Sequence, residues 1–168
     1  MSVELLVDGF DRVRQVVRHA VHGLTEEQLA WRPEGTGNSV GWLVWHLTRV
    51  QDDHVAGVAN LEQVWTAQDW VARFDLPFPP SDIGFGHSSS DVSSARFPSP
   101  ALLTDYHDAV HARTTDYLRS LTEDELPEVV DENWDPPVTR AVRLVSVLSD
   151  DLQHAGQAAF VRGLLPAG

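Results

Sequence analysis

The chain has 168 residues, of which 42% are hydrophobic, and a formal net charge of −13 at pH 7. This length fits one domain with a substantial core, so we expect residues 1–168 to form a single domain. The negative charge argues against nucleic acid and anionic membrane surfaces as partners, because both need a basic footprint. The sequence contains no cysteine, which excludes disulfides, thiolate ligands and a cysteine nucleophile. Any thiol chemistry must therefore come from a co-substrate.

The first residues of the chain include early acidic side chains and no long apolar run, so they do not resemble a signal peptide. No stretch of the sequence approaches the roughly 20 apolar residues that a membrane span needs. We therefore expect a cytoplasmic protein that does not bind a membrane.

Four segments have the apolar spacing of helices. The predicted helices span about residues 2–22, 40–60, 100–120 and 140–162. Ser39 has the position of an N-cap for the second helix, and Pro100 stands at the first position of the third. Gly163 ends the fourth helix. Thr25 and Gln28 have the spacing of a capping box, which predicts a short helical turn between the first two helices.

Residues 62–98, between the second and third helices, lack a helical pattern and are rich in proline, glycine, serine and aromatic residues. A connection of this length in a small domain usually covers a site or is disordered. Trp65, Trp70, Phe74 and Phe85 favour a packed cover. Because no segment has a convincing strand pattern, the sequence predicts an all-α four-helix bundle with a long loop between helices 2 and 3.

The predicted fourth helix is apolar on nearly all sides, which is typical of a central, buried helix. Within it, Asp150 and His154 lie four residues apart, and this spacing places both side chains on one face. His46 lies in the apolar second helix. A divalent metal would compensate the burial of all three groups, with two ligands from one helix and one from a facing helix. The alternative is a buried Asp–His hydrogen bond, or an Asp–Arg pair with Arg143 or Arg49.

Other polar residues have simpler interpretations. We expect Asp151 on a solvated part of the fourth helix, and Asp53 either accepting a hydrogen bond from a metal ligand or solvated. His107 and His111 also have a spacing of four, but they lack the Glu of the metalloprotease motif. Their position at the edge of the third helix's core face predicts a solvated pair.

Two stretches of the chain resemble signatures of the DinB-like superfamily. The stretch NSVGWLVWHL (residues 38–47) resembles its second-helix signature, and DDLQHAGQ (residues 150–157) resembles its fourth-helix signature. Residues 70–74 and 84–87 further resemble a branch of mostly uncharacterised proteins close to the mycothiol-dependent maleylpyruvate isomerases. The resemblance implies an up-down-down-up bundle with a divalent metal at one end of the helices.

In this family the ligands are most often three histidines, so the resemblance implies that His46, Asp150 and His154 hold the metal, with Asp150 replacing the middle histidine. The maleylpyruvate isomerases look similar in having a carboxylate at this place. We expect zinc first, with nickel or iron as alternatives, because imidazole and carboxylate suit all three. Members of known activity transfer or isomerise groups with low-molecular-weight thiols such as mycothiol, and others hydrolyse.

The resemblance therefore leads us to expect a metal-dependent thiol S-transferase or isomerase that acts on a small molecule with a mycothiol-type co-substrate. Arg49 or Arg143 would neutralise a substrate carboxylate, and Gln157 would orient a ligand or cap core polar groups. His87 would act as an acid–base group in a lid, or would be a loop histidine without a role. The alternatives are a metal-dependent hydrolase and a non-catalytic binding or stress protein with a vestigial site. A homodimer is compatible with the resemblance, since relatives often pair through helices.

Overall fold

The computed structural model describes residues 2–166, which form eight α-helices and one two-stranded antiparallel sheet. The helices are α1 (Val3–Val21), α2 (Glu26–Ala30), α3 (Val40–Ala59), α4 (Val64–Ala67), α5 (Trp70–Phe74), α6 (Ser89–Ser94), α7 (Pro100–Ser120) and α8 (Arg140–Gly163), and the strands are β1 (Val129–Asp131) and β2 (Val138–Thr139). The long helices α1, α3, α7 and α8 confirm the four predicted segments, each end within about one residue. None of the helices in the described residues is both long and apolar enough to cross a membrane.

The four long helices form a bundle in the expected up-down-down-up order. One apolar cluster joins Leu6 and Phe10 near the start of α1 to Leu144 near the start of α8. The same cluster contains Val55 near the end of α3 and Leu118 near the end of α7. Helices α1 and α8 therefore run in one direction, and α3 and α7 run in the other. Helix α8 packs against α1 and α3 on one side of the bundle. Helix α7 packs against the same two helices on the opposite side.

Side-chain caps define where the bundle helices begin. The hydroxyls of Ser39, Ser99 and Thr139 each accept a hydrogen bond from the backbone N–H three residues further on. Thr25 and Gln28 form the predicted capping box at the start of α2. These bonds satisfy backbone donors that the first turn of a helix leaves without partners. They also set the starting points of α3 and α8, the helices that carry the candidate metal ligands.

The segment between α3 and α7 differs from the predicted loop, because it contains the short helices α4, α5 and α6. Helices of four to six residues are too short to show a recognisable apolar period. Trp65, Trp70 and Phe74 confirm the packed cover, since their rings lie 5.1, 5.3 and 5.6 Å from the ring of Tyr106 on α7. Phe85 is not part of that cover, because it is 88% exposed.

The hairpin of β1 and β2 was not predicted, because strands of three and two residues carry no usable alternation. It lies immediately before α8. The backbone N–H of Arg140, the first residue of α8, donates to the carbonyl of Glu128 at 2.8 Å, which ties the start of α8 to the hairpin.

Helix α8 is less central than its composition predicts. Its buried face carries Leu144, Val147 and Ala155, but Val142 and Phe160 are 55% and 68% exposed. The neighbouring helices α1 and α3 therefore cover one side of α8 and leave part of its surface exposed. An apolar helix at the edge of a bundle can expose aliphatic side chains, and composition alone does not distinguish it from a central one.

Asp151 is completely buried, and neither of its carboxylate oxygens has a hydrogen-bond partner among the described residues. The predicted solvation is wrong because Asp151 shares the inward-facing spacing of Leu144, Val147 and Ala155. Burial raises the pKa of Asp151 well above its usual range, and the neighbouring Asp150 adds to this effect. The fold therefore favours the neutral form of the Asp151 carboxyl.

The prediction of a solvated histidine pair on the third long helix is also wrong. His107 and His111 are 1% and 8% exposed, and each connects α7 to a different neighbour. The Thr48 hydroxyl on α3 donates to the Val44 carbonyl at 2.7 Å, so it accepts from His107 Nδ1 at 3.1 Å. His111 Nε2 lies 2.7 Å from the Asp11 carboxylate on α1. Both histidines therefore stabilise the packing of the bundle.

The buried His107 predicts a loss of stability in acid. Burial lowers the pKa of His107 from 6.5 to about 3. The unfolded chain therefore binds this proton at a higher pH than the folded chain does. Stability should fall as the pH drops between these two values, by up to about 1.4 kcal/mol per pH unit from this group. We expect His107→Gln to flatten this part of the pH profile of urea unfolding.

The exposed His19 on α1 provides the control, because His19→Gln should leave the wild-type slope unchanged. If His107→Gln kept the wild-type slope as well, the buried neutral histidine would not be the origin of the acid sensitivity.

Candidate metal centre

His46 from α3 and Asp150 and His154 from α8 lie together where these antiparallel helices pack. One possible ligand atom from each of the three lies within 4.8 Å of the other two. His154 Nε2 is 3.6 Å from Asp150 Oδ1, and the two imidazole rings meet edge to face with centroids 4.8 Å apart. The structure thus brings together the three residues that the sequence analysis selected as metal ligands.

The protonation and burial of these groups fit a divalent cation. Asp150 Oδ2 is buried and has no hydrogen-bond partner among the described residues, so a carboxylate oxygen is left for a ligand. Burial lowers the pKa of His46, which favours the neutral imidazole that binds metals. Two imidazoles and one carboxylate leave open coordination positions, as catalytic zinc sites do.

A hydrogen bond from one ring nitrogen orients each histidine of the candidate centre. The side-chain oxygen of Gln157 accepts from His154 Nδ1 at 2.8 Å. The backbone carbonyl of Ile83 accepts from His46 Nδ1. Because Nδ1 is used in both rings, Nε2 is the nitrogen that each ring offers to a metal. Gln157 therefore orients a candidate metal ligand in this structure.

Ile83 belongs to a tight turn from Asp82 to His87, called the Gly84 turn below. The Asp82 carboxylate accepts hydrogen bonds from the backbone N–H of Gly84 at 2.7 Å and from His87 Nε2 at 3.0 Å. Gly84 has a φ of +86°, and a Cβ at this position would lie 2.8 Å from His46 Nδ1. A residue without a side chain is therefore needed for the turn to reach His46.

His87 does not have the position expected for an acid–base group in a lid. Its Nδ1 accepts a hydrogen bond from Trp42 Nε1 at 3.1 Å, so the ring proton lies on Nε2, which donates to Asp82. The Trp42 ring in turn stacks on His46 with centroids 4.7 Å apart. Both nitrogens of His87 are thus used inside the protein, and the residue supports the Gly84 turn behind His46.

Arg49 also differs from expectation, because it is 0% exposed and cannot meet a substrate carboxylate. Its Nε donates to the backbone carbonyl of Asp82 at 3.2 Å. Its Nη1 donates to Gln63 at 2.8 Å and to the Tyr106 hydroxyl at 3.3 Å. The carboxylate of Asp52 lies 3.6 Å away and compensates the buried charge. Arg49 therefore fastens the segment between α3 and α7 to the bundle.

The alternative ion pair between Asp150 and an arginine is not formed. Arg143 donates instead to Asp131 of the hairpin at 2.7 Å. Asp53 accepts a hydrogen bond from the Gln63 amide at 2.7 Å, so it is neither freely solvated nor bound to a metal ligand.

A small cavity of about 180 Å³ opens beside the candidate metal centre. Its lining includes His46 and Asp150 together with His54 of α3, which the sequence analysis did not select as a site residue. His54 lies eight residues after His46, a spacing that keeps both residues within one stripe along a helix. That spacing is the signal that could have identified His54 as part of this site.

The buried guanidinium of Arg49 predicts a large effect on stability. Replacing it by methionine, which has a similar length, leaves Asp52 buried without its cation. We expect Arg49→Met to lower the free energy of unfolding by roughly 3–5 kcal/mol, measured by urea unfolding.

The matched control is Arg12→Met on α1, which removes a pair whose side chains are 69% and 58% exposed. This change should leave the free energy of unfolding nearly unchanged. Equal stability of the two variants would show that Arg49 does not hold the segment.

The close approach of Gly84 to His46 predicts an effect on metal affinity. In Gly84→Ala the new Cβ must displace His46 or move the turn, so we expect zinc to bind roughly 10- to 100-fold more weakly in competition with a chromophoric chelator. Gly86→Ala is the control, because Gly86 has a similar φ of +75° but has no atom within 4 Å of an added Cβ. Equal zinc affinity of the two alanine variants would contradict the role of the turn.

Comparison with known proteins agrees with the fold. A family model described as DinB superfamily matches residues 9–158, which include all three candidate ligands. The chain is similar to the crystal structure of a conserved protein from Enterococcus faecalis, with 32% sequence identity, a TM-score of 0.90, and coverage of 98% of this chain and 97% of that one. No curated protein matches significantly. The bundle, its helix order and the family match over most of its length show that this chain belongs to the DinB superfamily.

Proposed function

We propose that the protein is a divalent-metal-dependent enzyme that uses a low-molecular-weight thiol of the mycothiol type for S-transfer to, or isomerisation of, a small electrophilic molecule. The convergence of His46, Asp150 and His154 beside a cavity is the observation that carries this proposal. Membership of a superfamily that often binds metals supports it.

Three donor atoms would hold the cation: Nε2 of His46, Nε2 of His154 and a carboxylate oxygen of Asp150. Zinc is the first choice for this donor set, and nickel or iron also suit it. When bound, such a cation lowers the pKa of a thiol or water molecule that joins it. Gln157 and the Ile83 carbonyl would keep the two imidazoles in the orientation that binding needs.

The surroundings of the centre support a thiol co-substrate that comes from outside the chain. The protein has no cysteine of its own to supply a sulfur nucleophile. The cavity of about 180 Å³ beside the centre accommodates only a small reacting group. A second cavity of about 750 Å³ shares His54 with it and is also lined by Trp134 and Arg143. In this proposal, the larger cavity receives the body of the co-substrate.

The first test is the metal content of the protein, purified without an immobilised-metal column. We expect about one equivalent of a transition metal per chain by elemental analysis, because three donors meet at one point. His154→Ala should lose this metal, whereas Asp150→His should retain it and bind zinc more tightly. His19→Gln should behave as the wild type.

The second step is to incubate the metal-loaded protein with mycothiol and electrophilic substrates. Conversion that depends on the thiol supports the proposal, and conversion with water alone would indicate a hydrolase. A wild-type protein that binds no metal, even after incubation with zinc or nickel, would contradict the proposal and favour a non-catalytic bundle.

A further inference from the structure

His54 shares the small cavity with two of the three candidate metal ligands, His46 and Asp150. It is the only other titratable side chain in the lining of this cavity, as far as the described residues show. Its side chain is 35% exposed, so it can exchange protons with solvent as well as with a molecule in the cavity. A histidine at this place can act in proton transfer next to the metal centre.

A chain of contacts leads from His54 through Asp53 and Gln63 to the buried Arg49. Its Nδ1 faces Asp53 Oδ2 at 3.6 Å. The other oxygen of Asp53 accepts from the Gln63 amide at 2.7 Å, and the Gln63 oxygen accepts from the buried Arg49 at 2.8 Å. The 3.6 Å separation between His54 and Asp53 is longer than a hydrogen bond, but it places a negative charge beside Nδ1. In the tautomer with its proton on Nδ1, which this charge favours, Nε2 of His54 is free to accept a proton.

Burial of its side chain favours the neutral form of His54, and the surrounding charges act in both directions. Burial lowers the pKa of His54, and Arg143 on α8 adds to this effect, while Asp53 on α3 and Asp150 on α8 oppose it. Asp131 of the hairpin neutralises part of the charge of Arg143 through their 2.7 Å contact. A neutral imidazole can accept a proton at physiological pH.

We propose that His54 is a catalytic base, which accepts the proton of the thiol that enters the metal centre. The S–H bond breaks, its electron pair stays on sulfur, and the proton moves to Nε2 of His54. Asp53 is the positioning residue, since it faces Nδ1 of the resulting imidazolium. The protonated His54 then returns the proton to the product or to solvent. This inference rests on the proposed function and adds a residue that the ligand set does not include.

The test uses cobalt-loaded protein and 2-mercaptoethanol as the thiol probe, so it does not depend on knowing the substrate. Thiolate bound to cobalt has a charge-transfer absorption, and stopped-flow mixing measures how fast it appears. We expect His54→Gln to contain as much cobalt as the wild type and to form the band roughly 10²-fold more slowly. Added imidazole should restore the rate in this variant, which a purely structural defect would not allow.

Two further variants provide a control for His54→Gln and a test of the positioning role of Asp53. His19→Gln removes an exposed histidine that lines neither cavity, so this variant should keep the wild-type rate and pH dependence. Asp53→Asn should bind cobalt normally and form the band more slowly, with a shifted pH dependence of the rate.

Four outcomes would overturn the inference. His54→Gln could form the band as fast as His19→Gln, which would show that His54 does not take the proton. It could lose cobalt, which would make His54 a ligand. The wild type could bind cobalt without forming the band, which would refute this inference while leaving the metal centre intact. A wild type without cobalt would refute the proposed function as well.

Discussion

The buried guanidinium of Arg49 is the interaction on which the rest of the site depends. A charged group with 0% exposure is stable only if hydrogen bonds and an opposite charge compensate it. Here Asp52 supplies the charge, while Gln63, Tyr106 and the carbonyl of Asp82 supply the acceptors. These partners come from α3, α7 and the segment between them. The contacts of one buried cation therefore join the long connection to the bundle and bring the Gly84 turn against α3, although Nη2 of Arg49 has no hydrogen-bond partner among the described residues.

The position of the Gly84 turn determines the orientation of the His46 ring. With its Nδ1 bonded to the Ile83 carbonyl and its ring stacked on Trp42, His46 has one orientation and offers one nitrogen. Gln157 has the same effect on His154 at the other side of the centre. Metal sites depend on such secondary contacts, because an imidazole that rotates freely loses affinity for its metal. The candidate centre is therefore preorganised by backbone and amide groups that bind no metal themselves.

Two adjacent carboxyl groups on α8 have opposite environments. Asp150 lies at the edge of the helix, 36% exposed, and faces the candidate centre. Asp151 points into the bundle, where burial raises its pKa and favours the neutral form. The centre therefore receives one negative charge from this helix instead of two. A single carboxylate with two neutral imidazoles would leave a bound divalent cation with net positive charge, which would suit the anionic thiolate of the proposed function.

The amino-acid sequence by itself determined the four long helices, the Ser39 cap of α3 and the pairing of Asp150 with His154, because apolar period, capping and a spacing of four are local properties of a helix. His46 could be added since a histidine in an apolar helix needs a partner. Only the tertiary structure decided the environments of Arg49 and Asp151, because burial and hydrogen-bond partners come from residues distant in the chain. Asp11 and His111, for example, are 100 residues apart. No local pattern encodes a contact of that kind, which forms only when the helices pack.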